Sequence, residues 1–337
     1  MKTSKKPLAG RVAVVAGATR GAGRGIARGL GEAGAIVYCT GRSVTGRPSS
    51  YGRPETIDET AAMINAAGGT AIAVRVDHAS EADVEALFAR VDAAHGRLDV
   101  VADSVGGENP LMGGYGWFWT ADVKNGAAAF EQSLLSHIIT AKHAARLMTR
   151  DKRGLIVEVT ESDVLGSGGN PVAQTIKLAL KSMALNMAAE LRPYGVTAVA
   201  LTPGFLRSER MLEHFGVTEA NWRDGVKKDS NFEVSETPLY VGRAVAALAA
   251  DPDVISKTGQ LFSSWDLARE YRFTDVDGRR PDWGRHKIDW SEFPEPYLEY
   301  FRAGGDIQSR WLATLAKRTK AFHAKVPKRR TSKEKRR

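Results

Sequence analysis

The stretch from Gly17 to Gly25 reads Gly-Ala-Thr-Arg-Gly-Ala-Gly-Arg-Gly and directly follows the apolar run Val12-Ala13-Val14-Val15-Ala16. A strand that ends in such a turn and opens a helix can hold a pyrophosphate, because backbone N–H groups and the positive end of the helix dipole meet there. Gly17 permits the tight turn, and Gly21 and Gly23 let phosphates and the neighbouring strand come close. Thr19 and Arg20 sit inside the turn. The next apolar run ends Val37-Tyr38-Cys39-Thr40-Gly41-Arg42-Ser43, and no acid occurs from 35 to 54. An acid at this place would hold the ribose 2′-hydroxyl of NAD. Arg42, Ser43 and Arg20 instead suit a 2′-phosphate, which takes charge-assisted hydrogen bonds, and so predict NADP(H).

Those groups need a scaffold, and the chain alternates apolar runs with helical patterns for most of its length. Strands are expected at 12–16, 35–40, 71–76, 98–102, 155–160, 196–201 and 260–263, and helices at 23–33, 55–67, 81–95, 126–148, 175–192 and 238–249. The runs are short, rich in β-branched residues and poor in polar alternation, as in strands buried on both faces of a parallel sheet. The prediction is an α/β fold: a doubly wound, Rossmann-type parallel sheet of about seven strands in a three-layer αβα sandwich. Segments 106–125 and 205–236 break the rhythm after the fourth and sixth strands. Both should leave the carboxyl edge of the sheet, where ligands bind. Three parts are expected: a nucleotide-binding domain over 7–265, an extension packed on it over 266–316, and a disordered basic tail over 317–337.

Composition narrows the field. Of 337 residues, 43% are hydrophobic and 26% charged, ordinary for a soluble globular protein. The net charge of +9 comes from the tail, where 317–337 carry eleven Lys or Arg and one Glu, so the rest is almost neutral. No aromatic residue interleaves with the last ten positions, which makes nucleic acid an unlikely partner. A single cysteine, Cys39, excludes a disulfide framework and a cysteine-rich metal site. His137 and His143 are six apart, off the spacing that puts two metal ligands on one helix face. No run is long enough for a membrane span, and a cytoplasmic location is expected.

The spacing Gly-x-x-x-Gly-x-Gly over 17–23, Asp77 after the third strand, Lys177 on a helix and Pro203-Gly204 after the sixth strand together resemble the short-chain dehydrogenase/reductase family. The resemblance implies that Asp77 contacts the adenine amino group, that Lys177 holds the nicotinamide ribose, and that the chain forms dimers or tetramers through its two long helices. Asp77 also reads as an acid before a helix start at Ser80. The family pattern then breaks. Members carry Tyr-x-x-x-Lys, whose tyrosine is the acid/base, and here Ala173-Gln174-Thr175-Ile176-Lys177 keeps only the lysine. The family serine aligns with Glu161, its Asn-Asn-Ala-Gly with Asp103-Ser104-Val105-Gly106, and its helix asparagine with Ser133, one turn before His137.

A lost general acid forfeits about 10²–10⁴ in rate unless another group substitutes. Glu161, Asp163, His137 and Tyr115 are the candidates beside Lys177. Burial would raise Glu161 and the neighbouring lysine would lower it, so the two effects oppose. The expectation is an NADP(H)-dependent oxidoreductase acting on a carbonyl or alcohol of a small organic substrate with a non-standard proton donor. The alternative is a catalytically inactive NADP(H)-binding sensor or assembly protein.

Overall fold

The computed structural model describes residues 6–49, 51–106, 119, 122–162 and 170–286. Seven parallel strands form one sheet in the order β3-β2-β1-β4-β5-β6-β7. They are β1 (Val12–Ala16), β2 (Ile36–Gly41), β3 (Thr70–Arg75), β4 (Val100–Asp103), β5 (Gly154–Val159), β6 (Val196–Thr202) and β7 (Leu261–Ser263). Every strand run expected from the sequence is present, with ends shifted by one or two residues. Side chains alternate between two cores, as the two-residue strand period requires. Val15, Cys39, Ala102, Val157 and Leu201 face one core, closed by α1 (Gly21–Glu32), α2 (Ile57–Ala66) and α8 (Pro238–Ala250). Val14, Tyr38, Val101, Ile156 and Ala198 face the other, closed by α3 (Glu81–His95), α5 (Ser136–Asp151) and α6 (Pro171–Leu191). The sheet is thus the middle layer of three.

Strand order reverses between β1 and β4, which creates a crevice at their carboxyl ends. Ala16 pairs with Asp103 at that edge. Helix α1 can approach α8 only because Gly25 and Gly29 face it. A Cβ at Gly25 would stand 1.7 Å from the Pro238 carbonyl oxygen, and one at Gly29 2.4 Å from the Gly242 carbonyl carbon.

Four elements depart from the expectation. The helix expected over 126–148 is α4 (Val123–Phe130), a π-turn over Glu131–Leu135, and α5. An inserted residue of this kind often marks a functional position. The helix expected from 175 begins at Pro171, with Asn170 accepting from the Val172 N–H at 2.8 Å. Segment 205–236 contains α7 (Glu209–Phe215), capped by Ser208, and β7 runs into α9 (Ser264–Tyr271). Residues 264–286 belong to the same compact unit as the sheet. There the Asp275 carboxylate accepts from the Thr237 N–H at 2.8 Å, and the Tyr240 hydroxyl donates to the Pro281 carbonyl at 3.3 Å. The remainder of the expected extension and the basic tail lie outside the described residues. No helix among those described is long and apolar enough to cross a membrane.

Candidate active site

The glycine turn is formed as its residue types require. The Gly17 N–H donates to the Thr40 carbonyl at 3.0 Å, and φ at Gly17 is +76°, a left-handed value that side chains disfavour. A Cβ at Gly17 would stand 2.9 Å from the Ser104 backbone, and one at Gly23 2.1 Å from the Gly17 carbonyl oxygen. The backbones of β1, its turn and β4 therefore touch where a dinucleotide crosses. Arg20 is the N-cap of α1, and its side chain offers no cap. The Gly21 N–H donates instead to Glu209 Oε2 at 2.8 Å, across 188 residues of sequence. The turn holds an anion: a carboxylate occupies a donor that suits a phosphate.

Around this seat the charges interlock. Arg24 is buried; its Nε donates to the Thr19 carbonyl at 3.0 Å and to the Thr60 hydroxyl at 3.1 Å. Its other nitrogens reach Glu59 at 2.7 Å and Glu209 at 3.3 Å. Arg20 lies 4.0 Å from Glu55, and Arg53 pairs with both Glu55 and Glu213. The acid-free interval ends one residue before Glu55, and the fold returns that carboxylate to Arg20. Both arginines expected to hold a 2′-phosphate lie near an acid, and the Arg20–Glu55 pair is the more buried of the two. Arg42 is exposed; it lies 3.8 Å from Asp77 and donates to Gln132 at 3.3 Å. Ser43 is buried, and its carbonyl accepts from the Ile57 N–H at 3.0 Å. Asp77 accepts from the Ala79 N–H at 3.1 Å, a turn-forming bond, while Ser80 caps α3.

At the other end of the crevice Lys177 stands on α6, one turn after Ala173. Thr160 Oγ1 donates to the Lys177 carbonyl at 2.9 Å, which fixes α6 against the end of β5. Lys177 is buried, and burial pushes its ammonium below the usual lysine range, opposed by the Glu161 charge. Glu161 itself is exposed, and Ser162 after it has φ +66°, an uncommon value for serine. Ser133 is buried in the π-turn against Gly106, where a Cβ would stand 2.0 Å from Ser133 Oγ. After β6, the Gly204 N–H next to Pro203 donates to Glu236 Oε2 at 3.0 Å, which also accepts from Ser264 at 2.6 Å. Burial raises Glu236 to about 8.

His137 is fully buried and does not face this crevice as a donor. Its Nδ1 lies 2.6 Å from Glu158 Oε2, and its Nε2 lies 3.0 Å from the Val105 carbonyl and 3.3 Å from Asp103 Oδ1. Both ring nitrogens are engaged, so the histidine expected as an acid pins the turn after β4. Burial opposes an imidazolium, but Asp103 and Glu158 override it and raise His137 to about 9. Burial lifts Glu158 to about 7, with His137 pulling the other way. Both groups hold their protons more tightly when folded, so the native state binds more protons than the unfolded chain in neutral to mildly alkaline solution. Stability must fall as pH rises from about 6.5 to about 9. We expect His137→Ala to cost about 3–5 kcal/mol near pH 6.5, because it strands buried carboxylates, and to flatten that decline. Thermal unfolding of both proteins across this range checks it; parallel curves would refute it.

Asp163 and Tyr115 lie outside the described residues. Sequence reasoning missed Glu209, Glu55 and Arg24, whose partners are far away in the chain. It also passed over Asp103 and Glu158 as polar partners, although an acid inside the apolar run 155–160 was a visible signal.

Fold and site together define a dinucleotide-fold α/β protein with a phosphate seat at the switch point of its sheet. A family model described as "Enoyl-(Acyl carrier protein) reductase" matches residues 17–261. The chain is 36% identical over 278 residues to human "Dehydrogenase/reductase SDR family member 1", covering 81% of this chain and 85% of that one. It belongs to the short-chain dehydrogenase/reductase family, a family of oxidoreductases. Among solved structures, a short-chain type dehydrogenase/reductase from Mycobacterium ulcerans superposes with a TM-score of 0.65 at 21% identity, over 86% of this chain and 95% of that one. Actinorhodin polyketide ketoreductase with NADPH gives 0.60 at 24% identity, over 75% and 95%.

Proposed function

We propose that the protein is an NADP(H)-dependent oxidoreductase that reduces a carbonyl, or oxidises the corresponding alcohol, of a small organic substrate. The observation that carries this reading is the glycine turn, whose backbone leaves no room for side chains and whose Gly21 N–H already holds a carboxylate. A phosphate suits that seat, Arg42 is available to a 2′-phosphate at the end of β2, and Lys177 is positioned for the nicotinamide ribose. Solved structures of the same fold include an NADPH dependent reductase and a polyketide ketoreductase with NADPH. When bound, the nicotinamide supplies a hydride.

The chain's own task is to protonate the oxygen that becomes anionic. With Ala173 in place of tyrosine, the Lys177 ammonium is the group best placed to do so. Burial weakens its hold on the proton, and exposed Glu161 keeps the cation charged enough to act. In the reverse direction neutral Lys177 accepts the proton.

Self-association as a dimer or tetramer fits the same reading. Leu135 and Ile138 are 44% and 47% exposed, and an apolar hollow of about 370 Å³ opens between α4 and the start of α6. That hollow contains none of the glycine turn, Glu161 or Lys177, so we assign it to packing between subunits and not to hydride transfer.

The test joins calorimetric titration with NADPH and NADH to NADPH oxidation over a panel of ketones and quinones. Tight NADPH binding with turnover of at least one substrate supports the reading. Binding without turnover across the panel would reduce the protein to a nucleotide binder, and no heat with either cofactor would remove the site altogether.

A further inference from the structure

The carboxylates of α7 sit where the cofactor's phosphates belong, and this rests on the cofactor reading above. Glu209 and Glu213 are four residues apart and so share one face of the helix. Glu209 accepts from the Gly21 N–H at 2.8 Å and pairs with Arg24 at 3.3 Å. Glu213 pairs with Arg53, which also holds the Glu55 that faces Arg20. One short helix therefore supplies anions to the pyrophosphate seat and to the basic cluster beside it.

The segment that carries α7 has a small core of its own. Phe205, Phe215, Trp222 and Phe232 form a small separate core. Arg207, fully buried, lies 4.2 Å from the Trp222 ring centre, donates to the Ser235 carbonyl at 2.7 Å and pairs with Glu219 at 2.8 Å. The base of the segment is anchored to 264–286, by Glu236 with Ser264 at 2.6 Å, Arg207 with Asp275 at 3.8 Å and Asn231 with His286 at 3.0 Å. The contacts that tie α7 to the glycine turn and its neighbours are charged ones, from Glu209 and Glu213. Charged contacts are also the ones an incoming phosphate can replace in kind.

We infer that Glu209, assisted by Glu213, is a resident competitor for the dinucleotide phosphates, so that cofactor entry and release of α7 from the glycine turn are one coupled step. The cofactor binds only the fraction of molecules in which Glu209 has left Gly21, and its apparent affinity is reduced by that fraction.

NADPH affinity and association kinetics of Glu209→Gln and wild type test this, with Glu233→Gln as a control. Glu233 is exposed and its replacement makes the same change in net charge. Glu209→Gln should bind NADPH about tenfold tighter, and Glu233→Gln should stay within about twofold of wild type. The wild-type association rate should level off at high NADPH, where release of α7 limits it, and the Glu209→Gln rate should keep rising. Equal affinities and linear rates in both would overturn the coupling while leaving the cofactor site intact. Should Glu209→Gln not fold, Glu209→Asp takes its place, and the wild-type rate plot decides by itself: linear to the highest concentration overturns the proposal. No binding of NADPH or NADH by either protein would overturn the cofactor reading, and this inference with it.

Discussion

Replacing Arg42 by Asp should invert the proposed preference for NADPH over NADH. Arg42 stands just past the end of β2, exposed; it donates to Gln132 at 3.3 Å and lies 3.8 Å from Asp77, whose side chain is itself open to solvent. A 2′-phosphate in its reach gains a charge-assisted hydrogen bond, worth roughly 1.5–3 kcal/mol. Aspartate there loses that bond, repels the phosphate and offers an acceptor to the 2′-hydroxyl of NADH. The ratio of NADPH to NADH affinity should fall by about 10²–10⁴, read by titrating both cofactors into both proteins. Arg20 gives the contrast. Each arginine lies near an acid, but the Arg20–Glu55 pair is largely buried whereas solvent screens the Arg42–Asp77 pair, so Arg20→Ala should change the ratio less than Arg42→Ala. If the two alanine variants behaved alike, or if Arg42→Asp left the ratio unchanged, the 2′-phosphate would be held elsewhere.

That asymmetry marks what could be read from the chain alone. The strands were legible because each is a short apolar run bounded by turn residues, and Gly17 was legible because few other residues tolerate its backbone. The two arginines looked equivalent because local spacing carries no information about Glu55, which lies just beyond the acid-free interval, or about Glu209, which arrives from the loop after β6. Long-range carboxylates decide which cation is available, and only the folded chain brings them together. The π-turn at 131–135 escaped for a related reason: one inserted residue leaves the helical pattern of apolar positions almost unchanged. The start of α6 was legible in principle, since Asn170-Pro171 is a cap followed by proline at the first helical position. His137 shows the opposite limit. Its intrinsic pKa made it attractive as an acid, but it is buried under the β4 turn, where its three oxygen partners favour the imidazolium against the opposing effect of burial.

Once His137 is set aside, Lys177 and Glu161 are the candidate donors among the described residues, and the two make opposite predictions. If the Lys177 ammonium donates, the reductive rate is full at lower pH and falls as pH rises through the lysine's depressed value, below the usual 10.5. Were Glu161 the donor, titration of the lysine would not set this limb. Glu161→Gln then separates them again. The Glu161 charge raises Lys177, so its removal should shift the alkaline limb to lower pH while keeping most of the maximal rate. Were Glu161 the donor, the same substitution would cost about 10²–10⁴ in kcat. Lys177→Arg is the most informative variant. Arginine keeps the positive charge for the nicotinamide ribose but does not give up its proton in the working range. We expect NADPH affinity within a few-fold of wild type, kcat lower by about 10²–10⁴, and no alkaline limb. A Lys177→Arg protein that kept its turnover would show that the proton reaches the substrate oxygen from another group. It would leave Lys177 as a cofactor ligand alone.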